Sequence, residues 1–75
     1  MRTVTKVSID TGNKEIVVQI RSRTKGLLGY TTVAEYYFPQ DTYASTIISN
    51  IKDRCSYSIN YPQLFEDILI VKERN

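Results

Sequence analysis

DTYASTIISNIKDRCS, residues 41–56, decides the fold, because it alone in the chain carries a clear helical period. Ala44, Ile47, Ile48, Ile51 and Cys55 fall at i, i+3, i+4, i+7 and i+11 and make one apolar stripe. Thr42, Ser45, Thr46, Ser49, Asn50, Lys52 and Asp53 fill the opposite side and would face water. Such a helix is stable only when its stripe lies on a flat apolar surface. The residues on either side of it must supply that surface.

Those that precede it read as strands. Thr3 to Asp10 and Glu15 to Thr24 are rich in Val, Ile and Thr, and TGNK between them is a turn in which Gly12 and Asn13 suit positive φ. Placing Asp10 opposite Glu15 pairs Ile9 with Ile16, Val7 with Val18 and Thr5 with Ile20, all on one face. A slip of one residue would turn that apolar set to the wrong side, so hydrophobic alternation and turn length select the same register. The loop KGLLG, residues 25–29, then leads into YTTVAEYYF. Opposing Thr24 to Tyr30 sets Ile20 against Ala34, Val18 against Tyr36 and Ile16 against Phe38, which carries the inner face across a third strand. Pro39 ends the ladder and Asp41 is placed to cap the helix.

Beyond Cys55 the pattern weakens. Pro62 suits the first turn of a short helix carrying Leu64 and Phe65, and the apolar run Ile68 to Val71 reads most simply as a fourth strand. The expected architecture is therefore α+β over a single domain, residues 1–75. It has a three-stranded antiparallel meander, one helix packed on one face and a fourth C-terminal strand, in the order β-β-β-α-β. Pattern alone leaves open whether that strand joins beside the first or the third.

Composition bounds the chemistry. A chain of 75 residues has one thin core and little room for a buried cleft. With 41% hydrophobic and 24% charged residues it belongs with folded globules rather than disordered tails. No apolar run reaches the roughly 20 residues of a membrane helix, and the first residues lack a signal peptide's apolar stretch, so a cytoplasmic protein with no membrane association is expected. One cysteine cannot form an internal disulfide or a thiolate metal site, and Cys55 on the core stripe reads as a small buried hydrophobe.

The chain contains no histidine, which removes the commonest general base and the usual nitrogen ligand of zinc. Gly12, Gly26 and Gly29 sit in turns and build neither a phosphate-cradling loop nor a dinucleotide fingerprint. Glu35, Asp41, Asp53, Glu66 and Asp67 show no spacing that assigns acid and base roles or captures a metal. The expectation is a protein that is not an enzyme, with no catalytic residues, no metal and no cofactor.

What remains is surface. In the register above, the outer sheet face shows Val4, Lys6 and Ser8, then Val17, Gln19, Arg21 and Arg23, then Val33, Glu35 and Tyr37. One helix covers one side of a sheet, so these aliphatic side chains stay wet unless something else covers them. Apolar residues interleaved with an arginine are typical of interface centres. The leading expectation is a protein-binding module of the interaction or inhibitor type, using this face or the sheet edge, with Val17, Arg21, Arg23, Val33, Tyr37, Leu27 and Leu28 as contact residues. Self-association into a homodimer is one form of that contact. Its small size suggests origin in a phage or another mobile element. Leu27 and Leu28, between two glycines at the hairpin tip, either fold back over the core or project to a partner.

Nucleic-acid binding through the same face is the alternative, with Lys6, Arg21, Arg23 and Lys25 as contacts, because some three-stranded sheets backed by a helix enter DNA grooves. Residues 1–25 hold six cations (Arg2, Lys6, Lys14, Arg21, Arg23, Lys25) against two anions (Asp10, Glu15), a net +4 within a chain total of +2. Against this alternative stand Glu35 in mid-face and an acidic second half. The tyrosines offer a related choice. Tyr30, Tyr36, Tyr43, Tyr57 and Tyr61 read as sealing the rim of the core, and Tyr37 alone points outward as a stacking platform would require.

Overall fold

Strands β1 (Thr3–Asp10), β2 (Glu15–Arg23) and β3 (Tyr30–Pro39) form an antiparallel sheet in the order β1-β2-β3, followed by helices α1 (Ala44–Arg54) and α2 (Tyr61–Arg74). The structure is a computed structural model and describes residues 3–23 and 29–74.

The β1/β2 register is the expected one throughout, with Asp10 opposite Glu15, Ile9 opposite Ile16, Val7 opposite Val18 and Thr5 opposite Ile20. The hairpin turn closes differently. The left-handed residue is Lys14, at φ 55°, rather than Gly12 or Asn13. Asp10 holds the turn by accepting from the Asn13 backbone N–H (3.2 Å) and side-chain Nδ2 (2.9 Å), the local side-chain bonding that makes Asp a turn former. Lys14 in turn accepts from the Gln40 N–H through its carbonyl (2.9 Å), which fastens the hairpin to the end of β3.

The β2/β3 register is also as expected from Ile16–Phe38 to Ile20–Ala34, and then it breaks. Arg21 pairs with Thr32 and Arg23 with Tyr30, so Val33 is an extra residue without a partner, a β-bulge. The bulge reverses parity beyond it: Tyr30, expected on the inner side, pairs with Arg23 on the outer side.

The inner face is the core. Ile16, Val18, Ile20 and Phe38 from the sheet meet Ala44, Ile47 and Ile51 from α1 and Leu64 and Ile68 from α2 in a single cluster, most of them fully buried. Ile48 and Cys55 complete the predicted helical stripe as partly buried members. The α1 boundary needs one correction, since Tyr43 rather than Asp41 occupies the cap position and no side chain caps the helix.

The larger correction concerns the C-terminal segment. Ile68 to Val71 is not a fourth strand; it forms the second half of α2, so the element order is β-β-β-α-α. Asn60 starts this helix. Its Oδ1 accepts from the Gln63 N–H (3.2 Å) and its carbonyl accepts from the Leu64 N–H (3.0 Å), an N-cap arrangement, and Pro62 falls in the first turn where no N–H is required. Gln63 then donates to Asp67 one turn on (2.9 Å). With nothing between Pro62 and Arg74 to break the helix, Leu64 and Ile68 drop onto the core at i and i+4, while Leu69 and Ile70 of the apolar run stay in water.

Helix α2 packs against α1 and β1. Thr3 donates its hydroxyl to the Ser58 carbonyl, and the Lys72 ammonium donates to the carbonyls of Gln40 (3.3 Å) and Thr42 (2.6 Å), so both ends of α2's path are tied to the sheet and its exit loop. Both helices thus share the inner face. The shortest molecular extent, 18 Å, corresponds to two layers, one of sheet and one of helix.

Candidate protein-binding face

No described element covers the other side of the sheet. Strand pairing places its residues in rows running from one end to the other: Arg23 with Tyr30; Val4, Arg21 and Thr32; Lys6, Gln19 and Glu35; Ser8, Val17 and Tyr37; Asp10, Glu15 and Pro39. The bulged Val33 stands next to Thr32.

Of the residues expected to make contact, Val33 (37% exposed) and Tyr37 (51%) are open to solvent, as are Arg23 and Lys6. Val17 is not: at 8% exposure between Ser8 and Tyr37 it is a floor that its neighbours already shield. Leu27, Leu28 and Lys25 lie outside the described residues. Val4 (39%) and Tyr30 (38%) add apolar area that sequence reasoning left aside or assigned inward.

The centre of the face is internally bonded. Glu35 accepts from Gln19 Nε2 (2.7 Å) and from the Tyr37 hydroxyl (3.2 Å), so its carboxylate is held rather than loose. Arg21 is the opposite case. Its Nε is buried and has no hydrogen-bond partner, an unusual state for a donor that normally finds an acceptor. A guanidinium offers its N–H groups as a planar fork suited to a carboxylate, and Arg21 sets one on the outer face, partly buried and with its Nε shut off from solvent.

The Tyr37 phenol is pushed above its ordinary value, first by the charge of Glu35, then by partial desolvation and the hydrogen bond to Glu35, with Glu15 and Asp10 adding to it. These carboxylates, Glu35 in the middle row and Glu15 and Asp10 at the far end, act together on Tyr37 between them. Because the folded phenol holds its proton more tightly than the unfolded one, its contribution to stability is complete below the ordinary phenol pKa of about 10 and is lost as pH rises through the folded value. Replacing Glu35 with Gln should move the Tyr37 transition back down. The difference in ultraviolet phenolate titration between each protein and its Tyr37→Phe variant reads this directly, and an unmoved transition would place Glu35 away from Tyr37.

Other parts of the molecule are less suited to a site. A shallow groove of about 580 Å³ is lined by Lys14, Pro39, Gln40, Asp41 and Lys72, but Lys72 already serves the Gln40 and Thr42 carbonyls. Tyr36, Tyr57 and Tyr61 pack against the core as expected, with Cys55 partly rather than fully buried, whereas Tyr43 is 78% exposed and does not seal the rim. The Arg54 guanidinium sits 4.8 Å from the centre of the Tyr36 ring and the Lys52 ammonium 5.1 Å from that of Tyr61. Burial is the main cause that pushes both the Tyr36 and Tyr61 phenols up. Among the described residues no group of His, Cys, Asp and Glu is placed to hold a metal ion, and no helix is long and apolar enough to cross a membrane.

Comparison of the chain with protein-family models, with curated proteins and with solved structures finds no match, so the functional reading rests on this geometry alone.

Proposed function

We propose that this chain is a non-enzymatic protein-binding module whose contact surface is the outer face of the sheet. One observation carries the reading: an uncovered face on which Arg21 has a buried Nε without an acceptor, beside the exposed side chains of Val33 and Tyr37. Arginine and tyrosine set among apolar residues are the groups that most often dominate binding energy at protein interfaces. A carboxylate from a partner would pair with the charge of the Arg21 guanidinium.

Affinity capture from native lysate tests this. The wild-type chain is expected to retain a protein that the Arg21→Ala/Tyr37→Ala variant loses, with circular dichroism showing that the variant is folded, since Arg21 is partly buried and Tyr37 stands beside Val17. Equal capture by both would remove the face from the function.

The same face argues against nucleic acid. Its cations Lys6, Arg21 and Arg23 are matched by Asp10, Glu15 and Glu35, whereas a phosphate backbone selects a surface of one sign. A fluorescence titration with duplex or single-stranded oligonucleotide at low salt should show no binding. Binding that weakens steeply with salt would instead establish the alternative.

A further inference from the structure

Among the described strand residues of the outer face, Lys6, Arg21 and Arg23 balance Asp10, Glu15 and Glu35, and the charges are sorted by sign along the strands. Arg23 and Arg21 occupy one end of β2, and Glu15, paired with Asp10, occupies the other. Lys6 and Glu35 flank Gln19 in the middle row. Lys14, next to Glu15 in the turn, lines the groove that Lys72 of α2 also lines. A surface with a positive end and a negative end is complementary to a reversed copy of itself.

Resting on the reading that the outer face binds protein, we propose that its occupant is a second copy of this chain, packed face to face and antiparallel about a two-fold axis that lies between the sheets and runs across the strands. Such an axis makes the contact isologous, so each favourable pairing occurs twice. Centring it between the Gln19 and Val17 rows carries Arg21 of each copy over Glu15 of the other and Tyr37 over Glu35, with Arg23 above the acidic end. Facing sheets pack about 10 Å apart, a gap that an arginine and a glutamate span together. Arg21 brings to this contact a partly buried guanidinium whose charge faces the Glu15 carboxylate of the other copy.

Size sets the strength. Strands of eight to ten residues make a face about 30 Å long and about 14 Å wide, a footprint on the order of 400 Å² per copy. That makes about 800 Å² in total, below the roughly 1,000 Å² of a stable interface, so the dimer should be weak and transient and should fill over roughly 10 μM to 1 mM. Charge pairing at a partly wet interface should also make it salt-sensitive.

Sedimentation velocity across that concentration range, at low and high salt, tests the proposal. The expected result is a monomer–dimer equilibrium weakened by salt, abolished by Arg21→Glu or by Glu15→Arg, and restored when both substitutions are combined, because the swapped pair is again of opposite sign. Circular dichroism checks that each variant is folded, and Arg23→Glu, at an exposed position, serves if Arg21→Glu is not; it should weaken association at least several-fold. A monomer at every concentration overturns the proposal, and so does a dimer indifferent to the charge swaps. If the chain stays monomeric while lysate capture still depends on Arg21 and Tyr37, the self-pairing fails and the broader protein-binding reading stands. Failure of both removes the face altogether.

Discussion

Ile68→Ala should lower stability by about 2–5 kcal/mol, and Ile70→Ala by about 0.5 kcal/mol or less. Ile68 is fully buried beneath α2, and its truncation leaves a cavity that the surrounding isoleucines fill only in part; Ile70, two residues on, is 43% exposed. The contrast discriminates helix from strand. In a strand, residues 68 and 70 would share a face and respond alike, whereas at 100° per residue they lie on different sides of a helix. For a domain of this size each kcal/mol moves the melting temperature by about 4–8 °C, so thermal unfolding followed by circular dichroism separates the two variants by about 6 °C or more. Equal losses would restore the fourth strand.

Val18→Asp should abolish folding at ordinary temperature, while Val33→Asp should not. Val18 is fully buried at the centre of the inner face, flanked by Val7 and Tyr36 on the neighbouring strands. An unpaired charge in such a site costs about 3–5 kcal/mol, comparable with the whole stability of a chain this short. Val33 is an outward-placed bulge residue at 37% exposure, where a carboxylate remains in water. Urea denaturation measures both. If Val33→Asp unfolds the protein and Val18→Asp does not, the two faces have been assigned the wrong way round.

The sheet could be read from the chain because two signals agreed. Alternation fixed which of Ile16, Val17, Val18 and Ile20 face inward, and the two turns fixed the registers, which hold in the structure from Asp10–Glu15 to Ile20–Ala34. The α1 stripe was legible for the same reason, since Ala44, Ile47 and Ile51 repeat at helical spacing and all three are buried. The bulge at Val33 left no such trace: YTTVAEYYF alternates too loosely for one extra residue to show, and the shift carried Tyr30 to the outer side.

Helix α2 was misread because four successive apolar residues satisfy a buried strand and a helix equally. The deciding signal lay upstream, where Asn60 and Gln63 bracket Pro62 in the pattern of a helix start and Leu64 and Ile68 continue at i+4. At the candidate site, Arg21, Arg23, Val33 and Tyr37 were found from parity. The bonding of Glu35 to Gln19 and Tyr37 was not, because parity places residues in rows without saying which side chains reach each other. Nor does parity reveal that Val17 is shielded by its own neighbours, since that depends on how the flanking side chains lie.

A dilution series of ¹H–¹⁵N spectra from about 1 mM to about 10 μM tests the central claim most directly. Amide shifts that change with concentration should map to β2 and its partners on the outer face, at Glu15, Arg21, Glu35 and Tyr37, and leave the core positions of α1 and α2 still. Shifts confined instead to the exposed residues Phe65, Leu69 and Ile70 of α2, or spectra that do not change at all, would contradict it.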